Sequence, residues 1–570
     1  MYNKIDLKNK LESIHRKSYP AYKSLRGSYT FGDFVLSIDH VQGDPFAAPS
    51  SLHVELPLKK AGFPEKYFEK RHTKTALEDL ILRSFSKALD QYSFKAKGSG
   101  KSGLISTSRP GPEIMRRTAV EFNNIALLVR FEVGFPANGR TINAQELEKI
   151  LLEFLPQIVK TCLFYQSWEK AKIQACYELA ENQQRIREVL EERKLVAFCA
   201  NGSILPRKSG VSSQPLKDAI EFQSPESMEI SIDLPFGNSI RGMGIPEGVT
   251  LIIGGGYHGK STLLQALEQG VYNHVKGDGR EYVITRADAL KLRAEDGRAV
   301  SHLDLSLFIH DLPNGKVTHC FSTEDASGST SQAAGIVEGI EAGSKVFLLD
   351  EDTSATNFMV RDAFMQHVIS REKEPITPFL ERARDLYEKA GISTILVAGS
   401  SGAFFHIADT VIQMDNYHPV DITAVTRKLC QEYPLSDVET PAFCLPESHR
   451  VMTRAKAAPS RHSRPGQPER LKTKVHGKDG FSLGKTEVDL RYVEQLIDSE
   501  QTASLALLLK YACEHLIDGK RTLPEIITYL DTQLKRQGLS FFSEGSYIPC
   551  GYAMPRIQEI YSCFNRYRRP

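Results

Sequence analysis

Four residues with the chemistry to hold a phosphate group stand at a characteristic spacing near the middle of the chain. Gly254, Gly259, Lys260 and Ser261 form the pattern Gly-x-x-x-x-Gly-Lys-Ser of a phosphate-binding loop. The apolar residues 251–253 before the loop predict a buried strand, and the amphipathic sequence after it predicts a helix. The residues expected to bind the phosphates of a nucleotide are Gly254, Gly255, Gly256, Tyr257, His258, Gly259, Lys260, Ser261 and Thr262.

The residue types in this loop indicate how it would bind the phosphates of a nucleotide and Mg²⁺. Glycines let backbone N–H groups turn toward phosphate oxygens, and the following helix presents its N-terminus to the anion. Lys260 would neutralise the β- and γ-phosphates, and the Ser261 hydroxyl would be a ligand of Mg²⁺. The alternative is a glycine-rich connection between strand and helix that binds nothing.

A pair of carboxylates follows a second apolar run. Residues 346–349 (VFLL) predict a buried strand, and Asp350 and Glu351 stand at its C-terminal end, where α/β sheets place their ligands. We expect Asp350 to hold Mg²⁺, directly or through water, and Glu351 to act as a general base toward the attacking water. By itself the pair also fits an ordinary acidic cluster after a strand.

A third motif, residues 326–332 (ASGSTSQ), precedes a predicted helix. Hydroxyl groups and a helix N-terminus form a second candidate site for an anion, with Ser327, Gly328 and Ser329 as the expected phosphate contacts. Taken alone, this segment equally fits a loop that only caps its helix. Ser327 lies 23 residues before Asp350.

The composition excludes several classes of protein. The 570 residues carry a net charge of +2, and 41% of them are hydrophobic. No apolar run approaches the length of a membrane helix, so we expect no membrane partner. The nine cysteines form no Cys-x-x-Cys pair, which favours neither a zinc site nor a disulfide framework and indicates the reducing cytoplasm.

Composition and periodicity divide the chain into four predicted domains or segments. Residues 1–225 are expected to form an α+β N-terminal domain, a candidate for binding nucleic acid, and residues 226–430 a nucleotide-binding core. Residues 431–480 read as a basic linker containing proline and serine, and residues 481–570 as a small helical domain.

Three segments suggest nucleic acid as a partner, each with a plain alternative. Residues 446–480 carry nine Lys and Arg against three acidic residues, which suits a nucleic-acid backbone or a solvated tether equally. The glycine- and serine-rich residues 98–112 suit a nucleic-acid backbone or a flexible connection. The C-terminal residues 561–570 combine aromatic rings with arginines, which suits stacking on bases or docking on a neighbouring helix.

With these motifs in register, the chain resembles the predicted ATPases of the ABC class. Long segments carry the resemblance: residues 26–50, 241–285 and 321–362, in which DEDTSATN is similar to the DEPTSALD segment of ABC ATPases and ASGSTSQ to a divergent LSGGQ signature. The resemblance implies an α/β fold, with an ABC-type P-loop ATPase core, a mixed α+β N-terminal domain and a small helical C-terminal domain. It also implies a homodimer through the core, in which two copies sandwich ATP and the Ser327 loop contacts the γ-phosphate held by the other copy.

The chain also departs from the ABC pattern. Where ABC ATPases carry a switch histidine after a strand, this sequence offers Ser400 or Ser401, and His406 lies too far along. We expect Ser400 to contact the nucleotide at this position. His258 is a candidate substitute inside the phosphate loop, whereas Asp409 is expected to brace the loop; a glutamine loop has no obvious counterpart.

Together these observations predict a Mg²⁺-dependent ATPase. ATP and Mg²⁺ are the expected cofactors, Glu351 and Lys260 the catalytic residues, and Ser261 and Asp350 the metal ligands. The ATP cycle is expected to control binding of nucleic acid, with RNA as the leading candidate. The alternative is a nucleotide-switched scaffold for protein partners without nucleic acid.

Overall fold

The computed structural model describes residues 2–313, 315–361, 373–434, 440–453, 471–543, 545 and 547–567. These residues form two compact units. The first comprises residues 1–182 and 537–554, and the second comprises residues 183–536 and 555–570.

The first unit is built on a seven-stranded, mostly antiparallel sheet of order β1-β2-β3-β4-β8-β5, with β7 also paired to β8. The strands of the unit are β1 (Tyr2–Asn3), β2 (Gly27–Thr30), β3 (Val35–His40), β4 (Ser50–Pro57), β5 (Ile105–Ser106), β6 (Glu113–Ile114), β7 (Val120–Phe122), β8 (Ala126–Val133), β9 (Ala137–Asn138) and β10 (Thr141–Ile142). Its helices are α1 (Lys4–Ile14), α2 (Leu58–Ala61), α3 (Arg71–Tyr92), α4 (Ala144–Glu148) and α5 (Leu155–Cys162), followed by α6 (Lys170–Glu192).

The core of the first unit lies between this sheet and its helices. Helix α3 places apolar side chains such as Ile81 and Phe85 on one face at helical spacing, and both are fully buried. Strand β8 pairs with β4 along its whole length and is buried at most of its positions. Helices α4 and α5 are joined by a π-helical segment, Lys149–Phe154, which ends just before Pro156, a residue without a backbone N–H.

Residues 537–554 join the first unit through backbone and side-chain hydrogen bonds. The Thr118 N–H donates to the carbonyl of Tyr552 over 2.9 Å, and the Ser108 hydroxyl donates to the carbonyl of Cys550 over 2.8 Å. The boundaries of the two compact units therefore differ from those of the four segments predicted from the sequence. The predicted boundaries at residues 225, 430 and 480 stay a prediction.

The second unit contains a six-stranded sheet of order β17-β20-β21-β14-β22-β23, parallel except at β22–β23, and a four-stranded antiparallel sheet of order β12-β13-β11-β16. Two smaller sheets have the orders β18-β19 and β24-β25-β26. The strands are β11 (Leu195–Ala200), β12 (Glu229–Ile232), β13 (Ile240–Pro246), β14 (Val249–Ile253), β15 (Asn273–His274), β16 (Val283–Thr285), β17 (Ala289–Leu292), β18 (Val300–Leu303), β19 (Phe321–Thr323), β20 (Val346–Asp350), β21 (Ser393–Val397), β22 (Thr410–Asp415), β23 (His418–Asp421), β24 (Thr473–Val475), β25 (Gly480–Leu483) and β26 (Thr486–Asp489).

The described helices of the second unit are α7 (Lys260–Gln269), α8 (Gly328–Glu341), α9 (Thr356–Met359), α10 (Phe379–Ala390), α11 (Thr423–Glu432), α12 (Ser499–His515), α13 (Leu523–Gln537) and α14 (Ile557–Arg566). Short 3₁₀ turns occur in both units, at Tyr19–Leu25, Glu65–Tyr67, Tyr165–Ser167, Glu226–Met228, Glu351–Thr353, Gly402–His406 and Leu539–Phe542. Strands β14, β20 and β21 are buried along nearly their whole length, as expected for parallel strands with both faces covered. The predicted α/β core is confirmed.

The C-terminal part of the chain differs in two respects from the helical domain and linker predicted there. A three-stranded antiparallel sheet, β24–β26, precedes the helices, so this part is α+β. Helix α14 is buried: Tyr561 is 5% exposed and Phe564 2%, and the Arg566 guanidinium pairs with Glu295. The interpretation of this tail as a base-stacking segment is therefore wrong for residues 561–567, because their aromatic rings belong to the core.

Part of the predicted linker lies outside the described residues, including Arg454, Lys456, Arg461, Arg464 and Arg470. Arg450, also counted in the basic segment, is 9% exposed at its side chain and binds Glu341. Across the described part of the chain, no helix is both long enough and apolar enough to span a membrane.

Asp409 braces the first residue of β14, the strand that leads into the phosphate loop, and not the loop itself. One carboxylate oxygen accepts the Val249 N–H over 2.8 Å, and the other pairs with Arg384 over 2.5 Å. We predict that Asp409→Ala lowers the free energy of unfolding by about 1–3 kcal/mol, since it leaves the N–H at the start of β14 without its acceptor.

Urea denaturation followed by circular dichroism measures this loss. Asp33→Ala is the matched control, because it removes an exposed pair with Lys60 that is expected to contribute less than about 1 kcal/mol. Equal losses in the two variants would contradict the bracing role of Asp409.

Candidate active site

The phosphate loop, residues 254–261, connects β14 to α7, and its glycines are required by the backbone. Gly254 has φ +142° and Gly259 has φ +97°, in the region that side chains disfavour. A Cβ at Gly254 would lie 2.4 Å from the carbonyl oxygen of Met414, and one at Gly259 would lie 2.8 Å from the ring of Tyr417. The loop therefore approaches the β22–β23 hairpin too closely for any larger residue at these two positions.

The groups that could meet phosphate oxygens lie on the open side of this loop. Gly255, Gly256 and Ser261 are exposed, and Lys260 is the first residue of α7. The Lys260 ammonium donates to the carbonyls of Gly254 and Gly255 over 2.6 and 2.9 Å, which holds it across the loop. The first N–H groups of an α-helix have no partner within it, so the loop and α7 together fit an anion.

The register of the parallel sheet brings the predicted carboxylates to the same edge as the phosphate loop. Val397 of β21 pairs with Ile252 of β14 on one side and with Asp350 of β20 on the other. Asp350 therefore lies two strand spacings, about 10 Å, from the strand that enters the phosphate loop. The residues that follow Val397 leave the sheet between the two.

Asp350 and Glu351 lie in contrasting surroundings. Asp350 is 9% exposed, and burial raises the pKa of its carboxyl, although the N–H of Asp352 and the charge of Lys291 act against this. A bound Mg²⁺ would favour the ionised form of this carboxylate. Asp350 and the Ser261 hydroxyl are oxygen ligands at one edge of the sheet, so they fit this ion.

Glu351 is held by the loop after β21. One carboxylate oxygen accepts the N–H groups of Gly399 and Ser400 over 2.6 and 3.0 Å, and the other accepts the Ser400 hydroxyl. Burial by itself would raise the pKa of Glu351, but these three hydrogen bonds outweigh it and hold the pKa below its ordinary value. The carboxylate is thus kept ionised and fixed in orientation, as a general base requires.

Ser400 is therefore engaged with Glu351 in this structure. From its position after β21, Ser400 was expected to contact the nucleotide in place of a switch histidine. The Gly399 N–H is a further partner of Glu351 that was not predicted, although the Ala-Gly-Ser-Ser sequence after a buried strand indicates a loop with accessible N–H groups.

Ser327 caps the helix that follows the third motif. Its side chain accepts the Thr330 N–H over 3.4 Å and lies 3.0 Å from the Thr330 hydroxyl, while Ser327 itself is exposed. Gly328 is buried against Asp296, whose carboxylate would lie 3.1 Å from a Cβ at that position. Ser327 and the start of α8 thus form an accessible helix N-terminus.

Ser329 and Gln332 face the interior. The Ser329 hydroxyl donates to the side chain of Asn357 over 2.7 Å, so its backbone N–H is the group that remains for an anion. The Gln332 side chain donates to the Ser354 hydroxyl over 2.9 Å and accepts the Ala355 N–H over 2.8 Å. These bonds connect the serine motif, residues 326–332, to the loop that follows Glu351.

His258 connects the phosphate loop to the β22–β23 hairpin. Its Nδ1 accepts the Asn416 N–H over 3.0 Å, and its carbonyl accepts the Tyr417 N–H over 3.1 Å. The imidazole is thereby engaged with the β22–β23 hairpin, and Asp415 lies 3.2 Å from the same nitrogen. This contact gives His258 a bracing function in the loop.

Three family models match consecutive parts of the chain. The "ATPase of the ABC class N-terminal" model matches residues 4–166, and the P-loop domain model of the ABC ATPases matches residues 169–449. The "MRB1590 C-terminal domain" model matches residues 472–570.

A curated relative is also similar. The "Uncharacterized protein MJ1628" of Methanocaldococcus jannaschii is 33% identical over 266 residues, which cover 44% of this chain. The chain spans 58% of the length of that relative.

Among solved structures, the ADP conformation of MJ1267, an ATP-binding cassette of an ABC transporter, is 13% identical, with coverages of 34% and 88% and a TM-score of 0.24. The cbiO1 protein of Clostridium perfringens, part of the transporter complex cbiONQ, is 15% identical, with coverages of 42% and 96% and a TM-score of 0.26. The fold assignment accordingly depends on the family models and on the sheet described above. Since its N-terminal and P-loop domains both match those of ABC-class ATPases, the chain belongs to the ABC-class ATPase family.

Proposed function

We propose that this protein is a Mg²⁺-dependent ATPase in which two copies of the chain sandwich ATP, and that the ATP cycle controls RNA binding. The observation that carries the ATPase proposal is the position of Glu351. It stands at the sheet edge that also carries the phosphate loop, with three hydrogen bonds that keep it ionised.

Each residue of the site has a distinct part in this reaction. Lys260 and the N–H groups of the loop bind the phosphates, and Ser261 and Asp350 hold Mg²⁺, which supplies charge neutralisation when bound. Glu351 orients a water molecule and accepts a proton as the water oxygen attacks the γ-phosphorus, and ADP leaves. Ser400 acts as a positioning residue, because its contact is with Glu351.

The second half of the ATP site would come from the other copy. The exposed Ser327 and the N-terminus of α8 are the groups that would meet the γ-phosphate there. Because ATP would join the two copies and ADP would not, hydrolysis would reopen the dimer and change the surface offered to a partner.

The proposed RNA contact is supported by the described end of the basic segment. Lys474 lies on the exposed edge strand β24, Lys472 directly precedes this strand, and Lys478 follows in the next turn. Exposed lysines in an extended row suit a phosphate backbone, whose binding releases counterions.

The first prediction from this proposed function concerns the general base. Glu351→Gln is expected to reduce turnover by about 100-fold or more, because the amide cannot accept the proton of the attacking water. It should still bind ATP and should form a dimer with ATP in light scattering. Hydrolysis at the parent rate would exclude Glu351 as the base, and Asp352→Asn serves as a control for charge removal in the same loop.

A second prediction concerns the pH dependence of turnover. The pKa of Glu351 is lowered in the folded protein, so activity should persist as pH falls until this lowered pKa is reached. Ser400→Ala removes one of the three hydrogen bonds and raises the pKa, which should move the acid limb of the kcat profile to higher pH.

Ser401→Ala is the matched control for this profile, because Ser401 makes no side-chain capping bond at the following 3₁₀ turn. Its acid limb should coincide with that of the parent protein. An unshifted limb in Ser400→Ala would contradict the positioning role.

A third prediction concerns RNA. Changing Lys472, Lys474 and Lys478 together to Gln should weaken binding to single-stranded RNA. It should also reduce the slope of log affinity against log salt concentration by about 2, because each lost phosphate contact lowers that slope by about 0.7. Filter binding across a salt series, with ATP and with ADP, measures both effects.

The control for this experiment changes three exposed lysines elsewhere, Lys389, Lys520 and Lys535, to Gln. It should leave the slope nearly unchanged. Absence of salt-sensitive RNA binding in the parent protein would refute the RNA proposal and favour a nucleotide-switched scaffold for protein partners.

A further inference from the structure

Lys291 is a buried lysine in β17, the strand beside the one that carries Asp350. Its side chain is 5% exposed, and its ammonium lies 3.4 Å from the carboxylate of Glu494. Its backbone N–H donates to the side chain of Gln495 over 3.0 Å. Lysine is rarely buried in proteins unless it is paired, so the charges around Lys291 decide what this residue does.

The strand register places Lys291 near Asp350. Lys291 pairs with Leu348 of β20, and Asp350 lies two residues further along the same strand. Because side chains alternate along a strand, Lys291 and Asp350 lie on the same face of the sheet. One strand spacing and a rise of two residues separate their Cα atoms by about 8 Å. The long side chain of Lys291 can therefore bring its charge close to the Asp350 carboxylate.

The pKa directions of the neighbouring carboxyl groups agree with this position. The charge of Lys291 acts against the rise in the pKa of Asp350 that burial causes. It also acts on Glu268 of α7, whose pKa is raised to about 7 by burial and by the charge of Glu494. Lys291 thus lies among three carboxyl groups, one of which belongs to the candidate metal site.

Glu494 neutralises Lys291 only in part. The Glu494 carboxylate also pairs with Arg293 over 3.0 Å, so a single negative charge serves two cations. Positive charge at Lys291 therefore remains to act on the Asp350 side of the cluster. It would repel a divalent cation at Asp350, and salt screens such a repulsion poorly between buried groups. Nucleotide phosphates, which usually complete the ligand set of Mg²⁺, would bring the negative charge that compensates it.

We propose that Lys291 keeps free divalent cations away from Asp350, so that the site accepts Mg²⁺ together with nucleotide phosphates and not before them. The inference rests on the Mg²⁺–ATP site proposed above and adds a residue that determines its specificity. Gln495 helps to hold Lys291 in place, because its side chain also donates to the Glu268 carbonyl near the end of α7 over 3.0 Å.

The test uses the full-length chain without nucleotide and measures the binding of Mn²⁺, a paramagnetic probe for a divalent cation, by electron paramagnetic resonance. Lys291→Met removes the charge but keeps a long side chain, and it is expected to bind Mn²⁺ about 10-fold more tightly than the parent protein. This gain has the opposite sign to the loss that damage to the fold would cause. Lys291→Arg keeps the charge and should bind Mn²⁺ like the parent.

Two controls locate the effect. Lys345→Met removes an exposed lysine directly before β20, at the end of that strand opposite to Asp350, and should leave Mn²⁺ binding unchanged because salt screens a charge at that distance. Asp350→Asn in the Lys291→Met background should abolish the gain. A gain that persists in this double variant would place the metal ion at Glu268 and Glu494 and refute the inference.

A second variant approaches the same cluster from its acidic side. Glu494→Gln removes the negative partner of Lys291 and keeps the lysine, so it should raise the Mg²⁺ concentration for half-maximal binding of a fluorescent ATP analogue by about 3-fold. An unchanged Mg²⁺ requirement in Glu494→Gln would contradict the inference. Equal or weaker Mn²⁺ binding by Lys291→Met, compared with the parent, would also overturn it.

Failure of the inference is distinguishable from failure of the proposed function. If the parent protein shows no Mg²⁺-dependent binding of the ATP analogue, the proposed ATPase is refuted. The Mn²⁺ comparison contains no nucleotide, so it decides separately whether Lys291 weakens the binding of a divalent cation at Asp350.

Discussion

The register of three parallel strands is the constraint on which the site depends. Since Val397 pairs with Ile252 and with Asp350, the loops that follow β14, β20 and β21 must leave the sheet at one edge. These loops carry the candidate phosphate-binding residues, the carboxylates and Ser400. A slip of one residue in β21 would turn its side chains to the opposite face and carry the hydrogen-bond donors away from Glu351.

Asp350 and Glu351 are adjacent carboxylates at that edge, but their surroundings shift their pKa values in opposite directions. Asp350 is the last residue of its strand, and burial disfavours its charge unless a cation lies nearby. Glu351 begins the following 3₁₀ turn and reaches the N–H groups of Gly399 and Ser400, which stabilise its charge. One position thus suits a metal ion and the next suits a base, although both side chains are carboxylates.

The C-terminal segment completes the ATPase core. Helix α14 packs on α8, the helix that Ser327 caps, and Arg566 pairs with the buried Glu295. Within the core, Arg298 and Glu338 form a second buried pair at 2.7 Å. Breaking a pair of this kind leaves a charge without its partner in the interior, so the packing of α8 depends on residues far along the chain.

The sequence by itself determined the strand, loop and helix around Lys260 and the carboxylates after β20, because glycine spacing and apolar runs are local signals. It also indicated the cap at Ser327. Only the tertiary structure decided that Ser400 binds Glu351, that His258 braces the hairpin, and that the aromatic C-terminal helix is buried. Those outcomes depend on strand order and on contacts between residues far apart in the chain, which no local pattern encodes.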